Sequence, residues 1–356
     1  MAKKKGSNEP KLNYKTELRL ARESGPARLY VLSGTEDYLR EYFLSSLKKI
    51  VLPEGEDSFS FRRLNGPDID AQTLREAVDA APFLTERSFV EIREPDLNRQ
   101  KESDELLDVF SDLPEYCTVV IVLKADYEPD GRLKLVKGLH KLARELEFEQ
   151  QSQSALIEWI SRRFAALGKS VDMETAQRLI FISGDLMNRL IPEIEKIAAY
   201  AEGGKVTLAD VNAVANRIPE ADIFEMTEAI ARKEYNNALS ILAEMLSQKK
   251  DKNNGSDPIA MLGMLGVQMR RLYAARLALE KDLGMKYLME TCDISHDFIA
   301  RKLLQSARGY TLEQLRRAVC LCAETDFRMK SSGSDDAELI KELVLRIMAG
   351  ETDAAD

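Results

Sequence analysis

The sequence has few of the side chains that make cross-links or covalent catalysis. Its 356 residues include four cysteines, Cys117, Cys292, Cys320 and Cys322, and two histidines, His140 and His296. The cysteines are too scattered for a disulfide framework, and no CxxC occurs. Cys320 and Cys322 on one helix would point to different sides, so no zinc-type ligand set forms. Reduced, buried thiols in a cytosolic protein are the expectation. The histidines fall in different predicted segments with no nucleophile beside them, which excludes a catalytic dyad and marks both as surface or boundary residues. No metal or cofactor is expected. Apolar runs long enough to span a bilayer are missing too. The basic start, Met1 to Gly6, is not followed by an apolar stretch, so it does not read as a secretory signal and a cytoplasmic location is expected. Positive charge is also short: 51 Lys and Arg stand against 60 Asp and Glu, a net charge of -9. That balance argues against bulk attraction to nucleic acid and leaves DNA contact to a local basic patch.

What is present is ordinary for a globular chain, with 44% hydrophobic and 31% charged residues, and its length implies two or three domains. Residues 1–25 read as a flexible N-terminal extension. From residue 28 to 149 short apolar runs alternate with helical patterns. Strands are expected at Leu29–Leu32, Phe59–Phe61, Phe89–Ile92, Thr118–Leu123 and Leu146–Phe148. The β-branched run Thr118-Val119-Val120-Ile121-Val122-Leu123 has the composition of a central strand buried on both faces. Helices are expected near 36–51, 71–81, 102–111 and 132–144, with Leu74, Ala77, Val78 and Ala81 on one face of the second. Such alternation predicts a parallel sheet covered by helices, an α/β domain over 26–150.

From about Ser152 the strand signal ends. Helices are expected over 154–167, 172–182, 185–201 and 207–216, the first three stopped by glycines and the last opened by Thr207 with Asp210 in capping-box spacing. This makes a small all-α domain over 151–218. Pro219 marks the next boundary, and a second all-α domain follows over 219–350. Its helices are expected over 222–233, 235–247, 258–281, 285–290, 295–306, 311–329 and 334–348, with a polar loop at 249–257 and an acidic tail at 351–356.

The first βα turn of a parallel sheet is where phosphate loops sit, so Ser33-Gly34-Thr35-Glu36-Asp37 is the place to look for nucleotide chemistry. A phosphate loop needs GxxxxGK[ST], in which glycines allow backbone approach, lysine meets the phosphates and a hydroxyl meets magnesium. This turn has one glycine and no lysine, and Glu36 and Asp37 put negative charge where phosphate would lie. The run ending Lys124-Ala125-Asp126 lacks the Asp-Glu pair that would hold magnesium. Gly34, Thr35 and Glu36 therefore read as a degenerate, non-functional phosphate loop. No Ser/His/Asp or Cys/His set is available either, so no catalytic residue is assigned and binding becomes the default.

One segment departs from its surroundings. Pro82 ends a helix, and Phe83 and Leu84 follow in a connection where polar turn residues are expected. Either both fold back onto the sheet edge, or at least one faces solvent as a plug for a partner pocket.

These residues also carry a family resemblance. Tyr30 to Glu36, Pro82 to Arg87, Leu156 to Ile160, Gly184 to Leu190 with Glu193 to Lys196, and Asp222 to Ile230 occur in the order and spacing of one family. From about Arg28 to Met348 the chain resembles bacterial DNA polymerase III delta subunits, the clamp-opening subunits of clamp loaders. The resemblance implies an AAA+-like first domain without ATPase function, a helical lid and a collar domain that joins a five-membered ring. It maps the family's clamp-binding pair onto Phe83 and Leu84, in the order aromatic then aliphatic. Arg189 falls where ATPase relatives keep a phosphate-sensing arginine. The helix bearing Gln268, Arg270 and Arg271 resembles the family's oligomerisation element, where these residues would meet partner subunits or DNA. The implied partners are the beta sliding clamp, the tau/gamma and delta-prime subunits and primer-template DNA within the ring, with no membrane. Any nucleotidyltransferase activity would belong to the DNA-directed DNA polymerase holoenzyme as a complex. Two other readings stand beside this one: a divergent AAA+ ATPase, and a helical scaffold or regulatory protein with an α/β head.

Overall fold

The run Cys117–Val122 (β4) is buried along its whole length and forms the middle strand of a five-stranded sheet. The structure is a computed structural model that describes residues 13–53, 59–83, 85–247, 257–331 and 333–350. Two compact units divide between Gln150 and Gln151.

The first unit contains α1 (Tyr14–Ser24), β1 (Leu29–Ser33), α2 (Asp37–Val51), β2 (Phe61–Asn65), α3 (Ala71–Asp79), β3 (Ser88–Arg93), α4 (Ser103–Ser111), then β4, α5 (Lys134–Leu142) and β5 (Arg144–Glu147). The strands lie in the order β2-β3-β4-β1-β5, and every pairing is parallel. In an all-parallel sheet the crossovers cover both faces, which explains the unbroken apolar strands. Leu29, Val31, Val90, Val119 and Ile121 pack with Leu74 of α3, Leu106 of α4 and Leu139 of α5. The alternate residues Tyr30 and Leu32 are buried, as are Phe43 and Leu47 of α2, and the Tyr30 and Phe43 rings meet edge-on at 5.9 Å.

Three expectations for this unit are corrected. Residues 14–24 of the expected flexible extension form α1, while 1–12 lie outside the described residues. Glu17 of α1 is buried, accepting from the Tyr30 hydroxyl (3.1 Å) and from Arg144 (2.9 Å). The second strand begins at Phe61 rather than Phe59, because the ladder opens at the Ser60 carbonyl, which accepts from the Phe89 N–H at 2.8 Å. Helix α3 stops at Asp79, and Ala81 is exposed rather than on its buried face. Pro82 disfavours a helical Ala81, and the chain leaves the helix at Ala80.

An ionic cluster drawn from α2, β2 and β3 is centred on Glu91. The Glu91 carboxylate, fully buried, meets the Lys48 ammonium at 2.9 Å, Arg63 at 3.2 Å, and Arg93. Lys48 also sits 4.7 Å above the Phe61 ring. Burial pushes the Glu91 carboxyl up, but the bonds from Lys48 and Arg93 outweigh it and hold the group below its usual range.

The second unit holds α6 (Gln153–Ala166), β6 (Ser170–Val171), α7 (Met173–Ser183), α8 (Met187–Tyr200), β7 (Lys205–Val206), α9 (Leu208–Val214), α10 (Pro219–Ala231), α11 (Tyr235–Ser247), α12 (Pro258–Glu280), α13 (Gly284–Cys292), α14 (Asp297–Ala307), α15 (Leu312–Ser331) and α16 (Asp336–Ala349). The capping box of Thr207 and Asp210 opens α9. Contrary to an all-helical expectation, β6 and β7 form a two-stranded parallel ribbon. Helix α12 is apolar on most of its circumference because α10, α13, α14, α15 and α16 pack around it. Segments 151–218 and 219–350 share this unit and are tied by several contacts. Arg178 of α7 pairs with Glu225 of α10 at 2.7 Å, and the Phe181 and Phe224 rings meet at 5.2 Å. His296, expected at the surface or a boundary, is buried, with Nε2 2.9 Å from the Asp185 carboxylate. The acidic tail at 351–356 and most of the 249–257 loop lie outside the described residues. Among the described residues no helix is long and apolar enough to cross a membrane.

Candidate functional site

The turn after β1 is filled by the chain's own backbone. Gly34 has φ +108°, and a Cβ there would lie 2.3 Å from the Phe148 carbonyl oxygen. The β1–β5 ladder runs on past Glu147, with the Phe148 N–H donating to the Ser33 carbonyl (2.8 Å) and the Glu36 N–H donating to the Phe148 carbonyl (3.0 Å). A phosphate-binding turn depends on N–H groups left free at the helix start. Here the Glu36 N–H is already committed, and the Asp37 N–H donates to the Thr35 carbonyl at 3.1 Å. Arg40 donates to the Gly34 carbonyl at 2.9 Å and pairs with Asp37. Phe148 is itself buried against the Tyr14 and Phe43 rings, at 6.0 and 5.9 Å.

The connection from α3 to β3 differs. Phe83 keeps 59% of its surface exposed. Its backbone is anchored, since the Phe83 N–H donates to the Ser60 Oγ at 3.1 Å. The Ser60 and Thr85 hydroxyls lie 2.6 Å apart, and Thr85 donates to the Arg87 carbonyl at 2.9 Å. The Ser60 hydroxyl also reaches the Phe83 carbonyl at 3.3 Å, and this partly buried set of hydroxyl contacts pins the loop to the start of β2. Leu84 lies outside the described residues. Of the two readings of this segment, Phe83 takes the solvent-facing one.

Sequence reasoning missed Phe59. Its ring is 74% exposed and stands edge-on to Phe83, with centroids 6.0 Å apart and planes at 85°. As part of a strand, Phe59 and Phe61 would share a face. The turn at Phe59–Ser60 instead leaves Phe61 half-buried under Lys48 and sends Phe59 outward.

Of the remaining assigned residues, Gln268 and Arg271 line one cavity, which Arg189 and Arg270 do not line. Gln268 is buried and donates to the Thr227 hydroxyl at 3.2 Å, so it faces the interior of its own unit. Arg270 is exposed, and Arg271 lines an apolar cavity of about 540 Å³ that also touches Phe181, Phe224 and His296. Arg189 is exposed on the first turn of α8. Burial pushes the Cys322 thiol up to about 12 and raises that of Cys117, which removes both as nucleophiles near neutral pH. Cys320 is exposed, on the other side of α15 from Cys322.

With this geometry in hand, similarity to known proteins is informative. Residues 30–149 match the family model of the DNA polymerase III delta subunit, and residues 220–347 match the model of that family's C-terminal domain. The chain is 26% identical over 328 residues to the DNA polymerase III subunit delta of Bacillus subtilis, covering 89% of this chain and 91% of that protein. It is 22% identical over 327 residues to a probable DNA polymerase III subunit delta of Aquifex aeolicus, covering 89% and 90%. The solved structure of the Bacillus subtilis DNA clamp loader delta protein superposes with a TM-score of 0.55 at 21% identity, over 95% of this chain and all of that one. The last match bears on fold and agrees with a parallel α/β unit followed by helices. Taken together, the two family models and the near full-length relatives establish that the chain belongs to the DNA polymerase III delta subunit family.

Proposed function

We propose that this chain binds the beta sliding clamp through Phe83 and Leu84 and favours the clamp's open form, without hydrolysing ATP itself. The observation that carries the reading is Phe83, a large apolar side chain held in solvent by a loop whose backbone is pinned to Ser60. Burying two such side chains in a partner pocket contributes about 3–6 kcal/mol before ordering costs, enough to dominate a small interface. The clamp's opening equilibrium then shifts by the difference between the chain's affinities for the open and closed forms. Support for the non-hydrolytic part comes from the turn after β1, where Phe148 takes the N–H of Glu36 and a lysine is lacking.

On this reading the α/β unit presents the plug, segment 151–218 acts as a lid, and segment 219–350 acts as a collar. The collar joins tau/gamma and delta-prime subunits in a cytoplasmic ring through which primer-template DNA passes. Exposed Arg270 is available for a contact with a neighbouring protein or with phosphate, whereas Gln268 acts from within the collar core.

The test is a titration of the purified chain against its host's sliding clamp. Wild type binds at micromolar affinity or tighter, and Phe83→Ala/Leu84→Ala loses at least about tenfold, or about 1.4 kcal/mol. Unchanged affinity in the variant removes the site, and no binding by wild type removes the function.

A further inference from the structure

The tip that carries Phe83 has a second ring beside it. Phe59 is the most exposed large apolar side chain among the described residues and precedes β2 in sequence, whereas Phe83 follows α3. An edge-to-face pair of this kind stabilises itself by about 0.5–1.5 kcal/mol, yet leaves the outer surfaces of both rings in water. Adjacent exposed aromatics form a contiguous apolar surface, which marks contact with a partner more strongly than scattered apolar residues do. The surface is also fixed in shape. Ser60, adjacent to Phe59 in the chain, accepts from the Phe83 N–H and is bonded to Thr85, so one buried hydroxyl sets the spacing of both rings. A contact surface ordered before binding loses little entropy on binding.

We propose that Phe59 is a second clamp-contacting ring, continuous with Phe83, and that Ser60 is the positioning residue that holds the two rings in register. This rests on the reading that Phe83 meets the clamp. The family resemblance places the contact at Phe83 and Leu84 alone, and Phe59 widens it across the start of β2.

The experiment is a clamp titration with Phe59→Ala, Phe83→Ala, the double variant, Ser60→Ala and Ser60→Thr, with Phe327→Ala as an exposed-aromatic control in the second unit. Thermal melting checks that each variant folds. Phe59→Ala weakens binding about tenfold, and the double variant loses less than the product of the single losses, because the rings are in contact. Ser60→Ala loses about threefold, Ser60→Thr restores binding, and the Ser60→Ala loss vanishes in a Phe83→Ala background. Phe327→Ala binds as wild type does. If Phe83→Ala loses tenfold while Phe59→Ala stays within about twofold of wild type, the second ring is refuted and the Phe83 site stands. If Phe83→Ala binds as wild type does, the underlying site is wrong. A Ser60→Ala loss that persists undiminished without the Phe83 ring refutes the positioning role.

Discussion

The turn after β1 and the tip formed by Phe59 and Phe83 lie at opposite edges of one parallel sheet. The first is at the carboxyl ends of the strands, where open α/β sheets generally take ligands. The second is at the amino ends, where they generally do not. In this chain the carboxyl-edge turn is closed by the Phe148 backbone, whose ring packs on buried Phe43 and half-buried Tyr14, whereas the amino-edge tip holds two aromatic side chains in water on a pinned backbone. Architecture shows where a ligand would enter, but the hydrogen-bond inventory shows whether the place is free. On the proposed function, recognition has moved from charged phosphate at one edge to apolar contact at the other.

The widest break in this contrast comes from the frame between the two edges. Glu91→Ala leaves Lys48 and Arg93 without their buried carboxylate and costs about 3–5 kcal/mol in denaturant unfolding, disabling both edges together. The wild-type group has its folded pKa lowered, so its stabilisation is complete above the unfolded value and is lost as pH falls through the folded one. Unfolding midpoints therefore drop below about pH 4.3, and Glu91→Gln flattens that slope.

Gly34→Val acts on the closed edge alone. A side chain there meets the Phe148 carbonyl at a positive φ, costing roughly 2–4 kcal/mol in unfolding free energy, while the folded fraction still binds the clamp in titration. Phe83→Ala does the reverse. Stability falls by no more than about 1.5 kcal/mol in denaturant melts, because the side chain is largely exposed and loses only its edge-to-face contact with Phe59, and clamp affinity falls. The smallest expected effect is none. A ligand present at 100 times its Kd would add about 2.7 kcal/mol, and ATP with magnesium leaves the melting temperature unmoved. A rise of several degrees would reopen the carboxyl edge as a nucleotide site.

Much of the fold was legible because its signals are local. The β-branched run of β4, the glycine stop at Gly184 and the Thr207 cap each sit within a few residues of the structure they specify. The ribbon of β6 and β7 was not legible, since two residues per strand are too few to show alternation. Glu91 interrupts the otherwise apolar run Phe89–Ile92, and its burial depends on Lys48 from a different element. His296 likewise depends on Asp185, 111 residues away. At the candidate site Pro82 betrayed the break before Phe83. Phe59 stayed hidden because Phe-Ser-Phe alternates like a strand, and only the ladder's start at Ser60 shows that it does not behave as one.

The clasp between His296 and Asp185 has a mechanical consequence. Together with Arg178–Glu225 and the Phe181–Phe224 ring pair, it makes the junction near residue 218 a weld instead of a hinge. A load on the helices after Pro219 is therefore shared with those before it through an ion pair, a ring pair and a buried imidazole.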